Sequence, residues 1–85
     1  MTLEEATEEI YVEIFRAEKK HGPFPADLIH GAAIVAEEAG ELVQASISAI
    51  YAGRQSQRDR WCQRTRLEAI QTAAMAIRFL RSYCE

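Results

Sequence analysis

From Leu28 to Ala52 the sequence contains no proline and consists mostly of Ala, Ile, Leu, Val and Glu. Residues of this kind suit a helix, so the stretch predicts one uninterrupted helix close to about 40 Å long. Leu28, Ala32, Val35, Ala39, Leu42, Val43 and Ile50 form its apolar side, with Ile34, Ala36, Ile47 and Ala49 on the flanks. Little of such a rod suits water, and it calls for other helices to lie against.

A second long helix is predicted from about Arg60 to the end, where Leu67, Ile70, Ala74, Ile77, Leu80 and Cys84 recur at helical spacing. Gly53 terminates the first of the pair, and the polar run Arg54 to Asp59 reads as the connecting turn. Ahead of both, Leu3, Ala6, Ile10, Ile14 and Ala17 make an apolar stripe to about Lys20, with glutamates on the other face. His21-Gly22-Pro23-Phe24-Pro25 ends that helix, because glycine accepts a left-handed stop and each proline pushes the residue before it out of helix. Asp27 is placed to cap the next one.

Alternating polarity, Asn-Gly turns and internal repeats are missing, which argues against a sheet or a solenoid. The fold class expected is all-α, a single domain over residues 1–85: a helical hairpin with a leading helix. A domain of 85 residues buries too little surface to be more than marginally stable alone, so homo-oligomerisation completing a helical bundle is expected.

The net charge of −3 conceals a segregation, with Glu4, Glu5, Glu8, Glu9 and Glu13 near the start and Arg54, Arg58, Arg60, Arg64 and Arg66 past the middle. The basic cluster is short and the chain acidic overall, so a nucleic-acid partner is not expected. No apolar run reaches the roughly 20 residues that a bilayer requires, and no membrane partner is expected. Cys62 and Cys84 form no CxxC pair, and Glu4 and Glu5 stand where a secretory leader would be basic. Together these favour a cytoplasmic setting. With only His21 and His30 to join the cysteines there is no zinc spacing, and His30, beside Gly31, Ala32 and Ala33, reads as a packed residue rather than a ligand.

The chemistry sits on the first long helix. At ~100° per residue Glu37 and Glu41 lie about 40° apart, with Glu38 on the adjacent flank. Three negative charges on a largely apolar helix repel one another and lose hydration, so a cation or a set of arginines must offset them. Glutamate oxygens at this spacing suit a hard divalent cation, Mg²⁺ with Mn²⁺ as a substitute. The plainer alternative is a solvated helix face. Glu68 shifts the balance: it interrupts the apolar run Leu67, Ala69, Ile70, with Gln71 on the same face, and an antiparallel hairpin brings it to the height of Glu41.

Glu37-Glu38-Ala39-Gly40-Glu41 followed by Glu68-Ala69-Ile70-Gln71 resembles the EExxE and ExxD motifs of the MazG-like all-α nucleoside triphosphate pyrophosphohydrolases. The resemblance covers both long helices, including Ile34-Val35-Ala36 before the first motif and Ala73-Ala74-Met75-Ala76 after the second. It implies a helical bundle assembled as dimers or dimers of dimers, which uses Mg²⁺ to cleave a nucleoside triphosphate to the monophosphate and pyrophosphate. House-cleaning of non-standard nucleotides is a role such an activity serves. It assigns Glu37, Glu38, Glu41 and Glu68 to metal binding and catalysis. Gln71 departs from the pattern, since its amide lends a neutral carbonyl oxygen where the family has a carboxylate.

A triphosphate also needs cations and the base a platform. Arg64 and Arg78 are the expected phosphate ligands from their helical spacing to Glu68, ahead of Lys19, Lys20, Arg54 and Arg58. Trp61 is the expected aromatic partner, with Phe24 and His30 as others. Two other readings stay open: a catalytically weak or inactive relative that binds a nucleotide or a protein, and a helical adaptor whose Glu37, Glu38 and Glu41 pair with arginines across a dimer interface with no cation bound.

Overall fold

The computed structural model of the protein describes residues 1–84. Three helices follow one another, α1 (Leu3–His21), α2 (Leu28–Tyr51) and α3 (Gln55–Tyr83), and no strand occurs among the described residues. Each helix start has a local cause. Thr2 and Glu5 form a reciprocal capping box at α1, and the Asp27 carboxylate accepts from the Ile29 N–H at 3.0 Å to open α2. Gly22, at φ 73°, is the one residue with positive φ among those described, and its N–H donates to the Glu18 carbonyl to close α1.

One expectation fails at the hairpin. Arg54 to Asp59 is not a loop: α3 begins at Gln55, and the turn shrinks to Ala52, Gly53 and Arg54. The run holds no helix breaker, and the Gln55 amide donates to Asp59 Oδ1 at 2.8 Å across one helical turn. A polar segment of this kind is simply a solvated first turn and a half of helix.

The short turn makes α2 and α3 antiparallel. At the far end, Tyr83 lies on the carbonyls of Pro25 and Asp27, so the end of α3 meets the start of α2. Gly31 permits that approach, because a Cβ there would stand 2.7 Å from the Tyr83 hydroxyl and 2.9 Å from the Phe24 ring. α1 packs on α3, running the same way along it, with Arg66 paired to Glu9 and Arg81 to Glu18. The first of these pairs ties the basic cluster to the acidic helix.

The core is small: Ile14, Ala17, Ala74 and Met75, with Ile10, Phe24, Ile34, Val35 and Ile77 packed around it. Much of α2 has nothing over it. Leu28, Ile29, Val43, Ile47, Ile50 and Tyr51 are all exposed, Ile29 and Tyr51 by about four-fifths. The accessible surface is 6304 Å², where a compact protein of 9.6 kDa would show about 5,100 Å². No described helix is long and apolar enough to cross a membrane.

Candidate functional site

α2 and α3 bring carboxylates together near the middle of the hairpin. One oxygen each from Glu38, Glu41 and Glu68 falls within 4.8 Å of the others. Glu38 and Glu41 share a face of α2 because they are three residues apart, and the antiparallel pairing sets Glu68 opposite. Glu37 is exposed and stands outside this trio, although its charge acts on Glu38.

Glu68 is 2% exposed, the most deeply buried large side chain of the described residues. Its Oε1 is paired with Arg64 Nε at 3.0 Å, one helical turn earlier. Its Oε2 has no hydrogen-bond partner among the described residues, and neither has Glu38 Oε2, also shut off from solvent. Buried carboxylate oxygens without donors are rare and costly.

The electrostatics agree with the geometry. Burial, then the charges of Glu41, Glu68, Glu37 and Glu13, push the Glu38 carboxyl up from 4.5 to about 6. Burial and the adjacent Glu41 push Glu68 up as well, and Arg64 only partly opposes them. Arg64 alone therefore leaves the cluster under-neutralised. The donor set is all oxygen, with no histidine or thiol, and the chemistry fits a hard divalent cation rather than zinc or copper.

Other sequence-predicted residues have varied surroundings. Arg64 is held by Glu68. Arg78 is buried, donates to the Gly22 carbonyl at 2.6 Å and lies 5.2 Å from the centre of the Phe24 ring. It ties α3 to the loop after α1. Phe24 is also packed edge-on against Tyr83. Trp61, partly exposed, shares a surface groove of α3 with Arg60, Arg64 and Leu67. Gln71 is half-buried and lines a small cavity with Glu38.

That cavity also holds a residue that sequence reasoning left among the solvated glutamates. Glu13 of α1 is 8% exposed and its charge reaches Glu38. The signal was present: Glu13 falls between Ile10 and Ala17 on the stripe that faces α3, not on the acidic outer face.

No family model, curated protein or solved structure gives a significant match to this chain.

Proposed function

We propose that the protein is a divalent-cation-dependent nucleoside triphosphate pyrophosphohydrolase of the MazG-like kind, with Glu38, Glu41 and Glu68 as the cation ligands. The observation that carries this reading is the buried Glu68, whose Oε2 has no hydrogen-bond partner among the described residues and whose carboxylate meets those of Glu38 and Glu41 within 4.8 Å. Among the described residues Arg64 is the one cation paired with the trio, and an adaptor would have to draw its remaining arginines from a second subunit.

When bound, Mg²⁺ or Mn²⁺ would neutralise phosphate charge and fix the phosphate chain in line for displacement. The chain's own residues do the rest. Arg64 holds Glu68 in place, the hairpin fixes the spacing of the three carboxylates, and Glu37 lies next to them, exposed to the solvent that provides the reacting water. Water adds across the α–β anhydride, whose P–O bond breaks, giving monophosphate and pyrophosphate with release of a proton.

Self-assembly belongs to the same reading. The excess surface is on the order of 1,200 Å², in the range that one partner buries in an obligate dimer. The uncovered side of α2 is the apolar face such a dimer would use. Gln71 favours one second reading, a relative with weakened chemistry that retains nucleotide binding.

The test is a screen of canonical and modified nucleoside triphosphates with Mg²⁺, read as monophosphate and pyrophosphate, beside a Glu38→Ala, Glu41→Ala double variant. Turnover by the parent that the double variant loses supports the reading. Equal turnover by both would sink it.

A further inference from the structure

The cation cluster uses none of the groups that α1 brings to its flank. A cavity of about 170 Å³ lies there, lined by Glu13, Arg16, Lys20 and His21 of α1 and by Glu38 and Gln71 of the hairpin. It is smaller than the roughly 300 Å³ at which pockets begin to enclose whole small-molecule ligands. Its size suits a phosphoryl group better than a base.

Its lining carries both signs of charge. The Glu38 carboxylate and the Gln71 amide come from the hairpin, and α1 brings the Glu13 carboxylate together with three nitrogen-bearing side chains of its last turns. Arg16 is the organised one. Its Nε and Nη2 donate to the two oxygens of Glu13 at 2.9 and 3.2 Å, a forked pairing that fixes the plane of the guanidinium. Glu13 is itself buried, so the fork has a rigid base. The Nη1 edge of Arg16 has no partner among the described residues, and the side chain is 57% exposed. A guanidinium held by one edge with the other edge open is the usual arrangement for binding a phosphate oxygen. Arg78 has no such freedom, being buried and engaged by the Gly22 carbonyl, and Arg64, held through its Nε by Glu68, does not line this cavity.

We propose that this end of α1 is the subsite for the phosphate chain, with Arg16 and Lys20 as phosphate ligands and Glu13 as the positioning residue for Arg16. The subsite rests on the reading of Glu38, Glu41 and Glu68 as a cation site. It identifies the ligand class as a polyphosphate chelated by that cation, and places its charged tail along α1 rather than along the basic start of α3.

The experiment is calorimetric titration of inorganic pyrophosphate into the protein at saturating Mg²⁺, for the parent and for Arg16→Gln, Lys20→Gln and Lys19→Gln. All three side chains are exposed, and circular dichroism checks that Arg16→Gln, which leaves the buried Glu13 without its ion pair, keeps the fold. Lys19 does not line the cavity, and its variant carries the same change in charge. The expected result is affinity about tenfold weaker for Arg16→Gln and several-fold weaker for Lys20→Gln, with Lys19→Gln close to the parent. Equal weakening in all three, or no weakening at Arg16, overturns the subsite. Mn²⁺ binding measured alone separates the two claims. A parent that takes no Mn²⁺ refutes the cation reading, whereas normal Mn²⁺ binding with undiminished pyrophosphate affinity in Arg16→Gln refutes the subsite only.

Discussion

Glu38→Gln should make the metal-free protein more stable at neutral pH while removing its response to Mg²⁺. The Glu38 carboxyl is held at about 6 in the fold against 4.5 for an unburdened glutamate. Because the folded value is the higher, the contribution of this group is fully present below about pH 4.5 and is lost as pH rises through about 6. A full shift of that size corresponds to about 2 kcal/mol, and the water still reaching this half-buried side chain brings the expected gain from glutamine to about 1–2 kcal/mol. In a domain this small, that raises Tm by roughly 5–10 °C. Thermal unfolding followed by circular dichroism in EDTA should give coincident curves for parent and variant near pH 4 and separated ones at pH 7.5. Millimolar Mg²⁺ should then raise the parent's Tm and leave that of the variant in place. A variant that is less stable than the parent at pH 7.5 would show that Glu38 is favourably paired, and would refute the account of a charge-burdened cluster.

Two more outcomes follow from the packing. Gly31→Ala drives a methyl group into Tyr83 and Phe24 and should cost about 1–3 kcal/mol in urea unfolding; an unchanged midpoint would mean that the two ends of the hairpin are not in contact as described. Gln71→Asp adds a carboxylate to the cavity beside Glu38, so it should lower the metal-free Tm at pH 7.5 and tighten Mn²⁺ binding several-fold; no change in either would place Gln71 outside the site.

The helices were legible because their apolar spacing is long and regular, and the pairing of Glu68 with Glu38 and Glu41 followed from counting residues to the turn in an antiparallel hairpin. The start of α3 was not, because Gln55 to Asp59 carries neither breaker nor apolar stripe, and a solvated helical turn has the same composition as a loop. Arg78 could be placed on the right face by spacing alone, but its capture by the Gly22 carbonyl depends on where the loop after α1 lies. The same holds for the cavity that Glu13 and Arg16 share with Glu38 and Gln71. Which face of α1 meets α3 is set by Ile14 and Ala17 in the core and by the Glu9–Arg66 and Glu18–Arg81 pairs, contacts between residues far apart in the chain. A periodic pattern names the apolar face of a helix without naming its neighbour.

Whether three carboxylates of the hairpin hold a divalent cation is decided by titrating Mn²⁺ into the protein and into Glu41→Gln under electron paramagnetic resonance. Glu41 is exposed, so its replacement leaves the fold intact while removing one of the ligands. The expected result is saturable Mn²⁺ binding that tightens as pH rises through about 6, as Glu38 loses its proton, and that weakens at least tenfold in the variant. No saturable binding, or an affinity that Glu41→Gln leaves unchanged, would contradict it.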